Sequence, residues 1–158
     1  MTSRPDVIWH DLECGGYAED LGLWRELAGD GPVLDVGCGT GRVALDLAAR
    51  GIPVVGLDSD STLLGTLRDR GAGLPVETVC ADARDFALQR RFAVVLAPMQ
   101  TVQLLGGANG RAAFLRCARE HLEPGGLLAI ALADALEGFD EDTATPPLPD
   151  MREQDGFV

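Results

Sequence analysis

Val33-Leu-Asp-Val-Gly-Cys-Gly-Thr-Gly41 is the stretch that decides the fold. Its first four residues are mostly apolar and read as a short strand; glycines follow at 37, 39 and 41. Arg42 to Arg50 then reads as a helix with Val43, Leu47 and Ala48 inward and Gly51 past its end. Glycines between a strand and a helix let the chain turn tightly. Lacking Cβ atoms, they also let a ligand approach main-chain N–H groups closely. In open parallel sheets the ligand sits at the carboxyl ends of the strands, where this loop lies.

Working outward, strand and helix signals alternate from about residue 20 to residue 134. Leu21 to Ala28 reads as a helix that shares Leu23, Trp24 and Leu27 on one face, and Gly29-Asp-Gly-Pro32 stops it. Pro53-Val-Val-Gly-Leu57 is the second strand, closed by Asp58; Ser59 or Asp60 caps a helix carrying Leu63, Leu64 and Leu67 before Gly71. Val76 to Cys80 reads as the third strand and Phe92 to Ala97 as the fourth, an apolar run suited to burial on both faces. Residues 110–122 read as a helix, Glu123-Pro-Gly-Gly126 as a turn, and Leu127 to Leu132 as the fifth strand. Such alternation predicts an α/β fold, a doubly wound, mostly parallel sheet of about five strands with helices on both faces. After Asp134 the character changes: Glu137 to Asp142 is acidic and Thr145-Pro-Pro-Leu-Pro149 is proline-rich. We therefore expect one domain over residues 1–134 and a tail over 135–158.

Composition narrows the partners. The 158 residues carry 13 basic and 25 acidic side chains, a net charge of −12, which speaks against a nucleic-acid backbone or an anionic membrane as the main partner. Every basic residue is Arg, so mechanisms that need a Lys are excluded. The four cysteines are scattered without a C-x-x-C pair, and with only His10 and His121 no metal site is expected. A polar start and the lack of a long apolar run give a cytoplasmic expectation.

Two ligand classes use such a glycine loop. Dinucleotide enzymes place a pyrophosphate on G-x-G-x-x-G. Here the spacing is G-x-G-x-G, and Asp35 stands two residues before Gly37, where a carboxylate would repel pyrophosphate but suits a cationic ligand. Asp58, 17 residues after Gly41, suits ribose hydroxyls in either class.

With these motifs in order, residues 17–134 resemble the class I S-adenosylmethionine-dependent methyltransferases. Val33 to Gly41 resembles the family's first motif, Val54-Val-Gly-Leu-Asp58 the second strand with its ribose acid, Cys80-Ala-Asp-Ala-Arg84 the adenine segment, and Leu122-Glu-Pro-Gly-Gly126 the turn before strand five. The resemblance implies a Rossmann-like fold with S-adenosyl-L-methionine as cofactor and S-adenosyl-L-homocysteine as product. Asp35, Gly37, Cys38, Gly39 and Gly41 would lie at the methionine end, Asp58 and Ser59 at the ribose, and Asp82 and Ala83 at the adenine. Ala97 and the residues after it would line the methyl-transfer site, where Gln100 and Thr101 either orient a substrate or cap the next helix. Tyr17 either lies over the cofactor or packs. The family's acid near the start of strand four is replaced by Ala93.

Other residues have plainer readings. Leu63 and Leu64 read as core, His121 as a helix C-terminal residue favoured by the dipole, Cys38 as a small space-filler, and Trp9 and Trp24 as core or lid. His10 is either a base on a segment folded over the site or a surface residue. Methyl transfer from a sulfonium needs alignment and exclusion of water more than a fixed catalyst, so no catalytic residue is assigned. Complete members follow strand five with a helix and an antiparallel hairpin, for which 24 residues after Asp134 are too few. A fragment of a longer enzyme, or an unusually short one, is expected, with strand five as an edge open to a second copy. The expected function is methyl transfer to a small-molecule acceptor. The alternatives are a non-catalytic module that binds the cofactor and an NAD-dependent dehydrogenase.

Overall fold

The computed structural model describes residues 5–133. The helices are α1 (Pro5–His10), α2 (Leu21–Ala28), α3 (Arg42–Ala48), α4 (Ser61–Arg70) and α5 (Gly107–His121). The strands are β1 (Val33–Val36), β2 (Val54–Asp58), β3 (Val76–Cys80), β4 (Phe92–Ala97) and β5 (Leu122–Ile130). A π-helical turn (Asp11–Gly15) continues α1, and a 3-10 turn (Thr101–Leu104) follows β4.

The strands form one sheet in the order β3-β2-β1-β4-β5, and each neighbouring pair is parallel. Chain order reverses beside β1, which puts a crevice outside the carboxyl ends of β1 and β4. Side chains alternate across β1, so its two faces feed two cores. Val33 joins Trp24, Val43, Leu47, Leu64 and Leu67 beneath α2, α3 and α4. Leu34 and Val36 join Phe92, Val95, Phe114 and Ala118 beneath α5. Asp35 lies on β1 among these apolar neighbours, only 1% exposed.

Three local readings change. Leu122 to Gly126 is the first part of β5 rather than a turn: Phe92 pairs Leu122 and Val94 pairs Leu127, and a bulge with Gly125 at φ 81° absorbs the extra residues. Helix α5 starts at Gly107, three residues before the expected Gly110. Pro5–His10, for which the sequence reading gave no element, is helical, with Val7 and Ile8 buried. The expected tail, 135–158, lies outside the described residues. Trp24 is core, donating its indole N–H to Asp20 at 2.6 Å, whereas Trp9 is 62% exposed and takes no part in the core.

Candidate functional site

A cleft of about 700 Å³ opens over the carboxyl ends of β1, β2 and β4. Of the residues expected there, Asp35, Gly37, Cys38, Asp58, Ser59, Asp82, Ala83, Gln100 and Thr101 line it. Tyr17 and Gly41 instead line a smaller hollow of about 460 Å³ beside it, where the Arg42 guanidinium stacks 5.5 Å from the Tyr17 ring centroid. Ala97 is fully buried at the end of β4, beneath the cleft floor.

The glycine loop is shaped by its neighbours. Gly37 and Gly39 have φ of 74° and 53°, conformations that cost a β-carbon residue free energy. A Cβ on Gly37 would run into Thr101, and one on Gly39 into the His10 ring. Asp58 accepts the Gly39 N–H at 2.9 Å through Oδ2 and the Asp60 N–H at 2.9 Å through Oδ1, fastening the end of β2 to the loop. Asp60 caps α4 through the Thr62 and Leu63 N–H groups.

Asp35 is the electrostatic anomaly. Neither carboxylate oxygen has a hydrogen-bond partner among the described residues. Burial pushes its pKa up to about 7; the Arg42 charge and the Ala44 N–H at the start of α3 pull the other way, the amide without reaching hydrogen-bond geometry. A buried, unpartnered carboxyl facing a cleft suits a ligand that brings a donor or a positive charge.

At the other end, the Arg84 side chain donates to both oxygens of Asp82, 2.6 Å at the shortest, and holds its carboxyl down at about pKa 2. Thr101 donates to the Pro98 carbonyl at 2.9 Å, and Gln100 precedes the 3-10 turn without a side-chain cap. Met99, between them on the cleft wall, has a φ of 57°, which strains a non-glycine residue. Cys38 is buried and its thiol pKa pushed up, mainly by burial and then by Asp35 and Asp58, which suits the space-filling reading.

Leu64 is core, but Leu63, one residue back on α4, lines the cleft. His121 ends α5 as a structural residue: it is buried, Nε2 accepts the Leu88 N–H at 2.8 Å and Nδ1 faces the Cys117 carbonyl at 2.7 Å. Sequence reasoning missed Glu13, Cys14, Leu104 and Leu105 on the cleft wall. For Glu13 and Cys14 the available signal was Pro5, a residue favoured in a first helical turn, ahead of the apolar pair Val7-Ile8.

The glycine loop, the acid ending β2 and the strand order together define a nucleoside-cofactor fold of the methyltransferase type. Residues 33–126, more than half of the chain, match the family described as "Methyltransferase domain". The chain belongs to that family, the class I S-adenosylmethionine-dependent methyltransferases. It is 35% identical over 120 residues to the cypemycin N-terminal methyltransferase of a Streptomyces species, covering 73% of this chain and 49% of that one. It is 33% identical over 99 residues to the dTDP-3-amino-3,4,6-trideoxy-alpha-D-glucopyranose N,N-dimethyltransferase of Streptomyces venezuelae, 62% of this chain and 40% of that one. Among solved structures, the S-adenosylmethionine-bound amino pentose methyltransferase from Micromonospora echinaspora superposes with a TM-score of 0.69 at 28% identity, covering 80% of this chain and 56% of that one. The chain thus spans about half the length of the curated relatives it matches. The family's cofactor is S-adenosylmethionine; nothing in the likeness supports a dehydrogenase.

Proposed function

We propose that this chain forms the cofactor-binding part of an enzyme that transfers a methyl group from S-adenosylmethionine to the nitrogen of a small-molecule amine. One observation carries the amine: the uncommitted charges on the cleft wall are carboxylates. Among the described residues, Glu13 lines the cleft without an ion-pair or hydrogen-bond partner and Asp35, equally unpartnered, is the group the cofactor's cationic end would meet, whereas Arg42 is tied to Asp20 and Arg84 to Asp82. A cleft biased in this way attracts cations. The N-terminal methyltransferase and the N,N-dimethyltransferase among the relatives support the same choice.

The chain's own residues fit the cofactor. Asp35, the glycine loop and Cys38 would receive its amino-acid and sulfonium end, with Gly39, Gly41 and Ala97 shaping the loop and floor. Asp58 and Ser59 would take the ribose; each Asp58 oxygen still has lone-pair capacity beyond the amide it accepts. Ala83 and Asp82 would take the adenine, with Arg84 having to share Asp82. Gln100 and Thr101 would face the acceptor, and Tyr17 would act only from the neighbouring hollow. When bound, the cofactor supplies an electrophilic methyl group on a positive sulfur. No helix of the described residues is long and apolar enough to cross a membrane; we place the enzyme in the cytoplasm, with 135–158 as a separate tail and β5 as the contact for a second copy.

Calorimetry with S-adenosylhomocysteine and with NAD tests the cofactor; binding of NAD alone overturns it. Release of S-adenosylhomocysteine with an amino sugar, a free-N-terminal tripeptide and their hydroxyl counterparts tests the acceptor. Turnover of the amines alone is expected. Turnover of the hydroxyl compounds alone overturns the amine, and binding without any turnover favours a non-catalytic module.

A further inference from the structure

Met99 is the one non-glycine residue with a positive φ among the described residues, and it stands on the cleft wall just past the end of β4. A left-handed methionine persists only where its surroundings over-determine it. On one side Ala97 is buried and locked into β4. On the other runs the 3-10 turn Thr101–Leu104, held in three ways. It closes on itself, with the Thr101 hydroxyl donating to the Pro98 carbonyl and the Gln103 N–H to the Gln100 carbonyl, each at 2.9 Å. Val102 plugs it into the core beneath α5. The Gln103 side chain then pairs as a strand would: Nε2 donates to the Ala133 carbonyl at 3.0 Å, and Oε1 accepts the Ala133 N–H at 2.8 Å. Ala133 is a fixed platform, because Ala131 donates its N–H to the Ala97 carbonyl at 3.0 Å. Making both bonds takes a primary amide; an ionised carboxylate has no donor, and Asn falls one methylene short.

We propose that Gln103 is a positioning residue for the methyl acceptor: by clamping the 3-10 turn to the chain after β5, it holds Met99 left-handed and sets where Met99, Gln100 and Leu104 stand on the cleft wall. The inference rests on the reading above that the acceptor lies at this wall. The bonds inside the turn join residues three apart and travel with it, and Val102 is a single pivot. The Gln103 pair spans 30 residues of sequence and fixes how the turn lies along the cleft. At the turn's other end the Thr101 side chain fills the space that a Gly37 Cβ would need, and its bond to Pro98 does not involve Gln103. Loss of the clamp therefore disturbs the acceptor wall more than the cofactor loop.

The test uses the whole 158-residue chain. In the parent, Met99 should give the strong intraresidue amide–Hα cross-peak of a left-handed backbone. Gln103→Glu should weaken that signal, since its carboxylate keeps the Ala133 N–H but meets the Ala133 carbonyl without a donor. By calorimetry, an amino sugar should bind the S-adenosylhomocysteine complex of this variant about tenfold more weakly, the scale of one to two neutral hydrogen bonds. Affinity for S-adenosylhomocysteine itself should move less than threefold, and Gln103→Asn should fall between parent and Gln103→Glu for the amino sugar. An unchanged Met99 signal, an unchanged amino-sugar affinity, or an equal loss for both ligands overturns the proposal. If the parent complex binds only the hydroxyl counterpart, the amine reading fails and that compound serves as the probe. If it binds neither, the acceptor reading fails, and the Met99 signal decides the clamp separately.

Discussion

Asp35 shows how far a single residue can be at odds with its surroundings. Its carboxyl keeps its proton to about pH 7 in the folded chain, against an ordinary value of 3.8. Between those values the folded state holds a proton that the unfolded chain has released. Ligand-free stability therefore falls as the pH rises from about 4 through 7, by an amount on the order of 4 kcal/mol at most. Asp35→Asn should raise the melting temperature of the ligand-free protein near pH 8, with the gap closing near pH 4. The same variant should weaken S-adenosylmethionine binding by about 10- to 100-fold near pH 8, the range for losing a hydrogen bond to a charged group. A variant no more stable than the parent would show that Asp35 is solvated or paired in solution. Asp58 makes the complementary case. It already accepts two backbone N–H groups, so Asp58→Ala should weaken S-adenosylhomocysteine binding by about 1.5–3 kcal/mol per charge-assisted bond; an affinity within twofold of the parent by calorimetry removes it from the ribose. Both carboxylates were legible from their places beside the glycine loop. Leu63 was not: it and Leu64 differ by one step of helical rotation, and periodicity cannot say which of two adjacent leucines meets a cleft.

At the scale of elements, legibility followed length and local signals. Strands β1, β3 and β4 and helix α2 match their expected bounds, because apolar runs between glycine and proline punctuation report burial directly. Helix α1 has six residues and the π turn five, too few to show a period. Their anchor is the pair Asp11–Arg70, 59 residues apart in sequence and invisible to any local window. The start of β5 was hidden because Pro-Gly-Gly reads as a turn, and only pairing with β4 shows that a bulge absorbs it. The packing of α1 on the glycine loop changes what Gly39→Val would do. Its new side chain would meet the His10 ring first, at a backbone φ of 53° that already strains a branched residue. The variant should fold, lose S-adenosylhomocysteine binding, and expose the Val7 and Ile8 amides to faster hydrogen exchange. Unchanged protection of α1 with binding lost would place the clash on the ligand side instead.

For the whole molecule, charge and an open edge act against each other. Among the described residues β5 has one strand neighbour, β4, and Leu127 and Leu132 are 41% and 67% exposed beside it. Unpaired N–H and C=O groups flanked by exposed leucines invite a further strand. A second copy offers the same edge, but each copy carries a net charge of −12, so approach is opposed by repulsion that extends about 30 Å at 0.01 M salt and about 3 Å at 1 M. Edge pairing, made of short-range hydrogen bonds and apolar contacts, is hardly screened over that range. The 158-residue chain should therefore self-associate more strongly as salt rises, the reverse of an interface built on ion pairs. Light scattering at several protein concentrations, at low and high salt, reads this directly. Leu127→Arg, which places a charge on the edge, should return the high-salt species to monomer without altering S-adenosylhomocysteine binding at the opposite end of the cofactor loop's strand. A monomer at every salt concentration, with the amides of residues 127–130 well protected in hydrogen exchange, would mean that this chain's own later residues cover the edge.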